Sequence, residues 1–280
     1  MHIDYSGPVI VTGLNDFDLD MVLGCGQCFR WRKEDGVWSG IACGQFLRIW
    51  ERDGMLLFDC TRESFDSLWR RYFDLDRDYD ALKRDFSGDT AMRRACAYAG
   101  GIRILRQDAW EALISFIISQ NNNVPRIMGI VDRLCELFGE PLFGGMHAFP
   151  SPETLAACTP DDLVPIRAGF RAKYIVDAAQ KVVSGQVDLK QIPLSFTDEA
   201  REQLKQIKGV GNKVADCVML YGMGKLDAFP VDVWIKKALD TLYPDGCRWI
   251  GTPYAGVAQQ YLFHYMRTCK EIGQEEHQPA

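Results

Sequence analysis

The apolar pattern of this 280-residue chain changes once, at Gly100-Gly101. Before this pair, short β-prone runs are separated by Gly or Asp and are followed by a polar, helix-prone stretch. Beyond the pair, apolar residues recur at helical spacing. A chain of this length can bury a sizeable core, as one large domain or two. The change predicts an α+β fold, with a strand-containing domain at residues 1–99 and an all-α domain at residues 100–280.

The elements expected within these two parts follow from the same periodicities. The β-prone runs cover residues 9–12, 28–32, 37–42, 46–51 and 55–59. The helix-prone stretch covers residues 63–98, and the candidate helices after it cover residues 107–119, 124–139, 152–157, 160–164, 170–184, 197–207, 212–222, 232–241 and 255–270.

A tight turn, Lys208-Gly209-Val210-Gly211-Asn212, separates two of these helices. Its glycines can adopt dihedral angles closed to other residues and expose backbone N–H groups, which at a helix start can bind a phosphate. Lys213 follows at the start of the second helix, where the helix dipole opposes a positive charge and favours the neutral amine that a nucleophile needs. The alternative is an ordinary helical hairpin with a solvated lysine.

Asp232 lies in the segment Phe229-Pro230-Val231-Asp232-Val233-Trp234, at the start of another predicted helix. Aspartate is a preferred N-cap because its carboxylate accepts hydrogen bonds from the first backbone N–H groups of a helix. A capping aspartate keeps one oxygen available for a substrate. Lys213 and Asp232 are therefore a candidate catalytic pair.

Residues 204–221, together with Pro230-Val231-Asp232, resemble the helix-hairpin-helix motif of a superfamily of DNA glycosylases. Four further segments resemble its 8-oxoguanine DNA glycosylase branch, in family order: Gly26-Gln27-Cys28-Phe29-Arg30-Trp31, Ser119-Gln120-Asn121-Asn122-Asn123, Phe170-Arg171-Ala172-Lys173-Tyr174 and Ala258-Gln259-Gln260-Tyr261-Leu262-Phe263. The resemblance spans residues 26–263. It implies an N-terminal antiparallel sheet with flanking helices (a TBP-like domain), packed beside an all-α helix-hairpin-helix bundle with the active site in the cleft.

The resemblance implies a bifunctional enzyme of base excision repair, which excises 8-oxoguanine opposite cytosine from double-stranded DNA and then cleaves the strand as a lyase. Such an enzyme flips the damaged nucleotide out of the duplex. Lys213 would attack the anomeric carbon of the sugar, expel the base and leave a Schiff base, which allows β-elimination of the 3′ phosphate. Asp232 would stabilise the positive charge that develops on the sugar.

The resemblance also implies how the base is recognised. Guanine accepts a hydrogen bond at N7, whereas 8-oxoguanine donates one there, and Gly26 matches the residue whose backbone carbonyl accepts it. Gln259 would bind the pairing edge of the base through its amide. Phe263 and Cys217 would stack on opposite faces of the base. Considered without the family, Gly26 is a turn glycine, and Phe263 and Cys217 are core residues.

Four residues match positions that contact the strand opposite the lesion. Asn121, Arg126 and Arg171 match residues that contact the orphaned cytosine, and arginine donors fit the acceptors of that base. Phe170 matches an aromatic residue that wedges into the gap, although tyrosine is frequent at this position. The alternative for both arginines is a solvated surface position.

Three more residues are expected to contact DNA near the lesion. Gly209 and Gly211 belong to the hairpin that, by the resemblance, would hold a phosphate. Trp234 stands where histidine is frequent, so a possible phosphate donor is lost, although the indole N–H can still donate.

The cysteines indicate no metal centre. Cys25-x-x-Cys28 lacks a second such pair or a nearby histidine pair. After Cys217 only Cys247 and Cys269 remain, which are too few and too far apart for an iron-sulfur cluster. We therefore expect no required cofactor, no metal site and no iron-sulfur cluster. The resemblance does suggest a structural cation at the carbonyls of the hairpin.

The formal net charge of −6 argues weakly against nucleic-acid binding. Basic residues nevertheless lie in or beside the matching segments, at Arg126, Arg167, Arg171, Lys173, Lys205, Lys208 and Lys213.

No apolar run approaches a membrane span, and the first five residues lack a basic start and an apolar signal core. We expect a monomer in the cytoplasm or nucleoid. Two other functions stay open: a glycosylase for another damaged base, and a non-catalytic helix-hairpin-helix DNA-binding protein, against which Lys213 and Asp232 argue.

Overall fold

A computed structural model describes residues 1–269 of the chain. It contains an antiparallel sheet followed by helices, and it confirms the predicted α+β fold. The last residue of the predicted helix 255–270, and residues 270–280 of the predicted all-α domain, lie outside the described residues.

Six antiparallel strands form a sheet in the order β1-β2-β6-β5-β4-β3. The strands are β1 His2–Asp4, β2 Val9–Thr12, β3 Trp31–Glu34, β4 Val37–Ala42, β5 Gln45–Arg52 and β6 Met55–Phe58. Strands β2, β4, β5 and β6 lie within a residue of their predicted ranges. β1 was not predicted, and β3 begins three residues later than expected.

Two-residue turns join β3 to β4, β4 to β5 and β5 to β6. The pairs Asp35-Gly36, Cys43-Gly44 and Asp53-Gly54 all have positive φ angles, of 48° and 81°, 49° and 72°, and 51° and 72°. Two consecutive positive φ angles define the type I′ turn, whose twist matches that of the strands it joins. These turns set the register of strands β3 to β6.

Thirteen α-helices are present in residues 1–269. They are α1 Leu19–Gly24, α2 Arg62–Ser64, α3 Arg70–Tyr72, α4 Tyr79–Phe86, α5 Thr90–Ala99, α6 Ala109–Ser119, α7 Val124–Phe138, α8 Pro152–Ala156, α9 Ala172–Val183, α10 Thr197–Leu204, α11 Asn212–Gly222, α12 Val233–Leu242 and α13 Ala255–Thr268. A π-helical turn, Phe65–Trp69, joins α2 to α3.

The predicted helix 160–164 is wrong. The Asp162 carboxylate accepts a hydrogen bond from the backbone N–H of Thr159 at 2.7 Å, and a 3-10 helix then covers Val164–Ile166. Pro165 has no backbone N–H to donate to the carbonyl of Asp161. That carbonyl instead accepts from the N–H of Val164 at 3.1 Å, so the chain forms turns and no α-helix here.

Two cores hold the protein together. One lies against the sheet and is rich in aromatic rings, such as Trp31, Phe58 and Trp69. The larger one lies among the helices, around the almost fully buried α6. Helices α4 and α5 precede the predicted boundary at residues 99 and 100, yet their apolar side chains belong to the helical core. The division into 1–99 and 100–280 stays a prediction.

Candidate active site

The hairpin between α10 and α11 places Lys213 at the start of α11. Gly209 has a φ of 79°, and a Cβ atom there would lie 2.4 Å from the ring of Tyr174. The turn is closed by a hydrogen bond from the N–H of Val210 to the carbonyl of Ile207 at 3.1 Å. Gly209 is therefore needed both for its dihedral angles and for its lack of a side chain.

Helix α9 holds the hairpin from the outside. Asp177 accepts a hydrogen bond from the N–H of Lys208 at 2.7 Å and pairs with the ammonium of Lys181 at 3.0 Å. Lys181 also donates to the carbonyl of Gln206. Although burial raises the pKa of Asp177, these bonds outweigh it and lower that pKa. The turn is fixed by charged hydrogen bonds, which are stronger than neutral ones.

Asp232 is the N-cap of α12, as predicted. Its Oδ1 atom accepts hydrogen bonds from the N–H groups of Trp234 and Ile235, at 3.0 Å and 2.8 Å. No hydrogen bond to Oδ2 is present within residues 1–269. The cap therefore fixes the carboxylate while one of its oxygens stays available.

Lys213 and Asp232 line one cavity of about 630 Å³. The Lys213 ammonium lies 5.4 Å from the centroid of the Phe116 ring. Phe116 in turn packs edge-on against Phe29, so part of the cavity wall is aromatic and buried. The other lining residues are Gly26, Ser119, Gln120, Asn121, Asn122, Asn123, Val124, Ile127, Gly211, Val214, Val233, Trp234, Phe263 and Arg267.

Seven of the predicted site residues thus meet at one place. They come from the α1–β3 connection, the end of α6, the start of α11, the start of α12 and α13: Gly26, Asn121, Gly211, Lys213, Asp232, Trp234 and Phe263. Segments that are far apart in the chain thus bring a lysine amine, a carboxylate, a glycine and an aromatic ring to one cavity.

Cys217 and Gln259 lie buried and are not among the residues that line the cavity. Burial raises the pKa of the Cys217 thiol to about 11, against the effect of nearby Lys213, so this thiol stays neutral and behaves as an apolar surface. The Gln259 amide donates to the carbonyl of Pro230 at 3.0 Å. Its Oε1 atom is buried and accepts no hydrogen bond within the described residues, which is unusual for a buried polar atom.

Arg171 is buried, in contrast to a solvated surface arginine. Its guanidinium donates to the carbonyls of Gln120, Asn121 and Ala168. It therefore supports the turn after α6, in which Asn121 has a φ of 46°. A left-handed conformation is tolerated by asparagine better than by most residues.

Arg126 and Phe170 are exposed near this turn. Arg126 lies in the first turn of α7, and its backbone N–H donates to Oδ1 of the N-cap residue Asn123 at 3.0 Å. Phe170 is 49% exposed, and its ring lies 4.5 Å from the guanidinium carbon of Arg171. An exposed aromatic ring that rests on a buried cation is held in place, as a wedge requires.

Arg267 is a lining residue that the sequence analysis missed. It lies near the end of α13, one helical turn after Phe263, and the distance from its guanidinium carbon to that ring is 5.6 Å. The spacing of four residues from a predicted base-stacking residue is the signal that could have identified it.

Within residues 1–269, no group of three or more His, Cys, Asp or Glu side chains is placed to hold a metal ion. Two backbone carbonyls of the hairpin already accept hydrogen bonds within the protein. The Gln206 carbonyl accepts from the Lys181 ammonium, and the Ile207 carbonyl accepts from the N–H of Val210.

In the part of the chain that is described, no helix is both long and apolar enough to cross a membrane.

Comparison with known proteins places these features in one family. The family model for the N-terminal domain of 8-oxoguanine DNA glycosylase matches residues 9–113, and that of the HhH-GPD superfamily of base excision DNA repair proteins matches residues 114–246. The N-glycosylase/DNA lyase of Saccharomyces cerevisiae is 34% identical over 270 residues, which cover 84% of this chain and 70% of the yeast protein.

Among the solved structures that match almost the whole chain, two are bound to DNA. MBOgg1, in complex with a low-affinity DNA ligand, is 41% identical with a TM-score of 0.90, and the match covers 97% of this chain and 99% of MBOgg1. The 8-oxoguanine glycosylase/lyase of Clostridium acetobutylicum, bound to double-stranded DNA with cytosine opposite 8-oxoguanine, is 38% identical with a TM-score of 0.89, over 95% and 98% of the two chains. The chain belongs to the 8-oxoguanine DNA glycosylase family of the helix-hairpin-helix base excision repair enzymes.

Proposed function

We propose that this enzyme excises 8-oxoguanine opposite cytosine from double-stranded DNA and then cleaves the strand at the abasic site. The observation that carries the proposal is that Lys213 and Asp232 line the same cavity as Gly26 and Phe263. A nucleophile, a carboxylate and two groups suited to a purine thus share a space that can hold a flipped base.

Lys213 is the proposed nucleophile. The lone pair of its Nζ atom forms a bond to C1′ of the sugar, and the bond between C1′ and N9 breaks, with its electron pair leaving on the base. The departing base takes up one of the two Nζ protons. Opening of the sugar ring gives a Schiff base as the other Nζ proton passes to O4′. Transfer of a proton from C2′ to water then expels the 3′ phosphate, and water finally hydrolyses the Schiff base and frees the lysine.

Asp232 is proposed to stabilise the positive charge that develops on the sugar while the base departs. The cap supports this role, because two backbone hydrogen bonds hold Oδ1 at 3.0 Å and 2.8 Å and fix the direction of the carboxylate. A charge that is fixed beforehand costs no reorganisation during the reaction.

The base is proposed to bind between Phe263 and Cys217, with the carbonyl of Gly26 accepting the N7–H of the lesion. Gln259 is proposed to bind the pairing edge. Its unpaired, buried Oε1 atom supports this role, since an amide oxygen can accept from the donors of a guanine edge.

The opposite cytosine is proposed to contact Asn121, Arg126 and Arg171, while Phe170 fills the gap left by the flipped base. The exposure of Arg126 and Phe170 supports direct contacts for these two residues. Arg171 would donate to the cytosine through the guanidinium N–H that is not bonded to a backbone carbonyl. It would also hold in place the turn that carries Asn121.

Gly209, Gly211 and Trp234 are proposed to contact the DNA backbone, through exposed N–H groups at the helix starts and through the indole. The proposed reaction needs no cofactor, metal or iron-sulfur cluster, because each step uses groups of the chain and water. A structural cation at the hairpin stays a prediction. We further propose that the enzyme works as a monomer in the cytoplasm or nucleoid.

The test uses duplexes that carry 8-oxoguanine, unmodified guanine or an alkylated adenine. Single-turnover assays should detect excision of 8-oxoguanine opposite cytosine, followed by strand cleavage without added alkali. Excision of the alkylated base alone would indicate a glycosylase for other damage. Binding of the lesion with no excision would indicate a non-catalytic protein.

A further inference from the structure

Arg267 contacts two walls of the cavity at once. Its Nη1 atom donates to the carbonyl of Cys25 at 3.3 Å, and its guanidinium carbon lies 5.6 Å from the centroid of the Phe263 ring. A Cβ atom at Gly26 would lie 3.3 Å from the same Nη1 atom. One side chain therefore joins the loop that carries the proposed N7 acceptor to the proposed stacking residue.

The direction of the Gly26 carbonyl must be set by its neighbours. Gly26 has a φ of 93°, and glycine has little conformational preference of its own. On its C-terminal side, the Gln27 side chain is anchored to three backbone atoms by hydrogen bonds of 2.9 Å each. On its N-terminal side, Arg267 holds the carbonyl of the peptide unit that joins Cys25 to Gly26.

We propose that Arg267 is a positioning residue for recognition of the damaged base. It fixes the peptide that precedes Gly26 and packs on Phe263, so that the acceptor and the stacking face keep one mutual arrangement. This inference rests on the proposed function, because it assigns Arg267 to the site at which the lesion would bind.

The consequence concerns the choice between 8-oxoguanine and guanine. A fixed carbonyl attracts the N7–H of the lesion and repels the N7 lone pair of guanine, whereas a loop that can rotate avoids the repulsion. The lyase reaction on an existing abasic site involves no base. Loss of Arg267 should therefore impair base excision and spare abasic-site cleavage.

The test compares two reactions of the same variants. Arg267→Met keeps an unbranched side chain in place of the aliphatic part of the arginine but removes the guanidinium. This variant should excise 8-oxoguanine opposite cytosine about tenfold more slowly, the equivalent of one charged hydrogen bond. The rate of cleavage of a preformed abasic site should change by less than about twofold, which is less than the loss of one hydrogen bond would cause. Arg267→Lys can still donate to Cys25 and should recover part of the excision rate.

Arg248→Met is the matched control. Arg248 also packs on an aromatic ring, that of Trp249, at 5.1 Å, but it does not line the cavity, so both of its reactions should stay unchanged. Binding can be measured without excision in a Lys213→Gln background. In that background, Arg267→Met should reduce the factor by which the lesion-containing duplex binds more tightly than the unmodified duplex.

Two results would overturn the proposal for Arg267. Equal losses in both reactions would indicate a phosphate contact or a damaged fold, and unchanged excision would indicate no role for Arg267. If the wild-type enzyme acted on neither substrate, the proposed function itself would fail, and this outcome is separate from a failure of Arg267 alone.

Discussion

At the scale of single residues, the site depends on side chains whose directions are fixed by backbone bonds. Asp232 is held as an N-cap, and Arg171 is held by three carbonyls. The N-cap was predictable from the sequence because its partners are two and three positions away. The burial of Arg171 was not predictable, because its main acceptor, Gln120, is 51 positions away.

Asp232→Asn should keep the fold and slow base excision strongly. The amide oxygen can still cap α12, so the free energy of unfolding should fall by less than about 1 kcal/mol. The charge that stabilises the transition state is lost, which should cost roughly a hundredfold in single-turnover rate. An unchanged excision rate would reduce Asp232 to a structural cap.

Arg126→Ala should weaken the preference for cytosine opposite the lesion. The side chain is exposed. Arginine N–H groups can donate to the acceptors of cytosine, whereas the exocyclic amine of adenine is itself a donor and cannot accept them. Excision measured with each of the four opposite bases should fall most for cytosine. An equal loss with all four bases, together with a weaker salt dependence, would instead indicate a phosphate contact. Arg171→Ala is a poorer test because it also removes support from the turn after α6.

At the scale of elements, the hairpin and the helices around it were predictable because their signals are local. The pattern of helical spacing and glycines located α11, α12 and α13 to within two residues at each described end. The strand β1 and the short helix α1 were missed. β1 has three residues and lies at the edge of the sheet beside β2, so its sequence is too short to show a period of two.

Gly209→Ala should destabilise the hairpin. The new methyl group would lie 2.4 Å from the ring of Tyr174, at a φ of 79°, and we expect a loss of about 3 kcal/mol in the free energy of unfolding. Gly211→Ala is the matched control, because its surroundings are open to 4 Å, and it should cost less than about 1 kcal/mol. Urea unfolding of both variants measures the difference. Equal stabilities would contradict the packing described for Gly209.

At the scale of the whole molecule, a buried contact between an arginine and a glutamate joins the sheet side to the helical side. Arg30 precedes β3, Glu111 lies in the first turn of α6, and their side chains approach to 3.7 Å. Burial raises the pKa of Glu111 from 4.5 to about 7, although Arg30 opposes this rise. The sequence did not indicate this contact, since 81 positions separate the two residues.

The Glu111→Gln variant should change how stability depends on pH. The folded wild type keeps the Glu111 proton up to about pH 7, whereas the unfolded chain releases it near pH 4.5, so the contribution of this group falls as the pH rises between these values. We therefore compare the free energies of unfolding of the wild type and Glu111→Gln. The value for the wild type minus that for the variant should decrease by roughly 3 kcal/mol from about pH 4.5 to pH 7. Urea unfolding across this range measures it, and a constant difference would contradict the raised pKa.

Covalent trapping tests the central claim, that Lys213 is the nucleophile, most directly. The enzyme is incubated with a duplex that carries 8-oxoguanine opposite cytosine, in the presence of borohydride, and the modified peptide is identified by mass spectrometry. The wild type should form an adduct on Lys213, whereas Lys213→Gln should form none and should still bind the lesion, because the amine is needed for covalent chemistry. Lys208→Gln, at an exposed lysine of the same hairpin, should trap as well as the wild type. Wild-type trapping by Lys213→Gln, or an adduct on another lysine, would contradict the account.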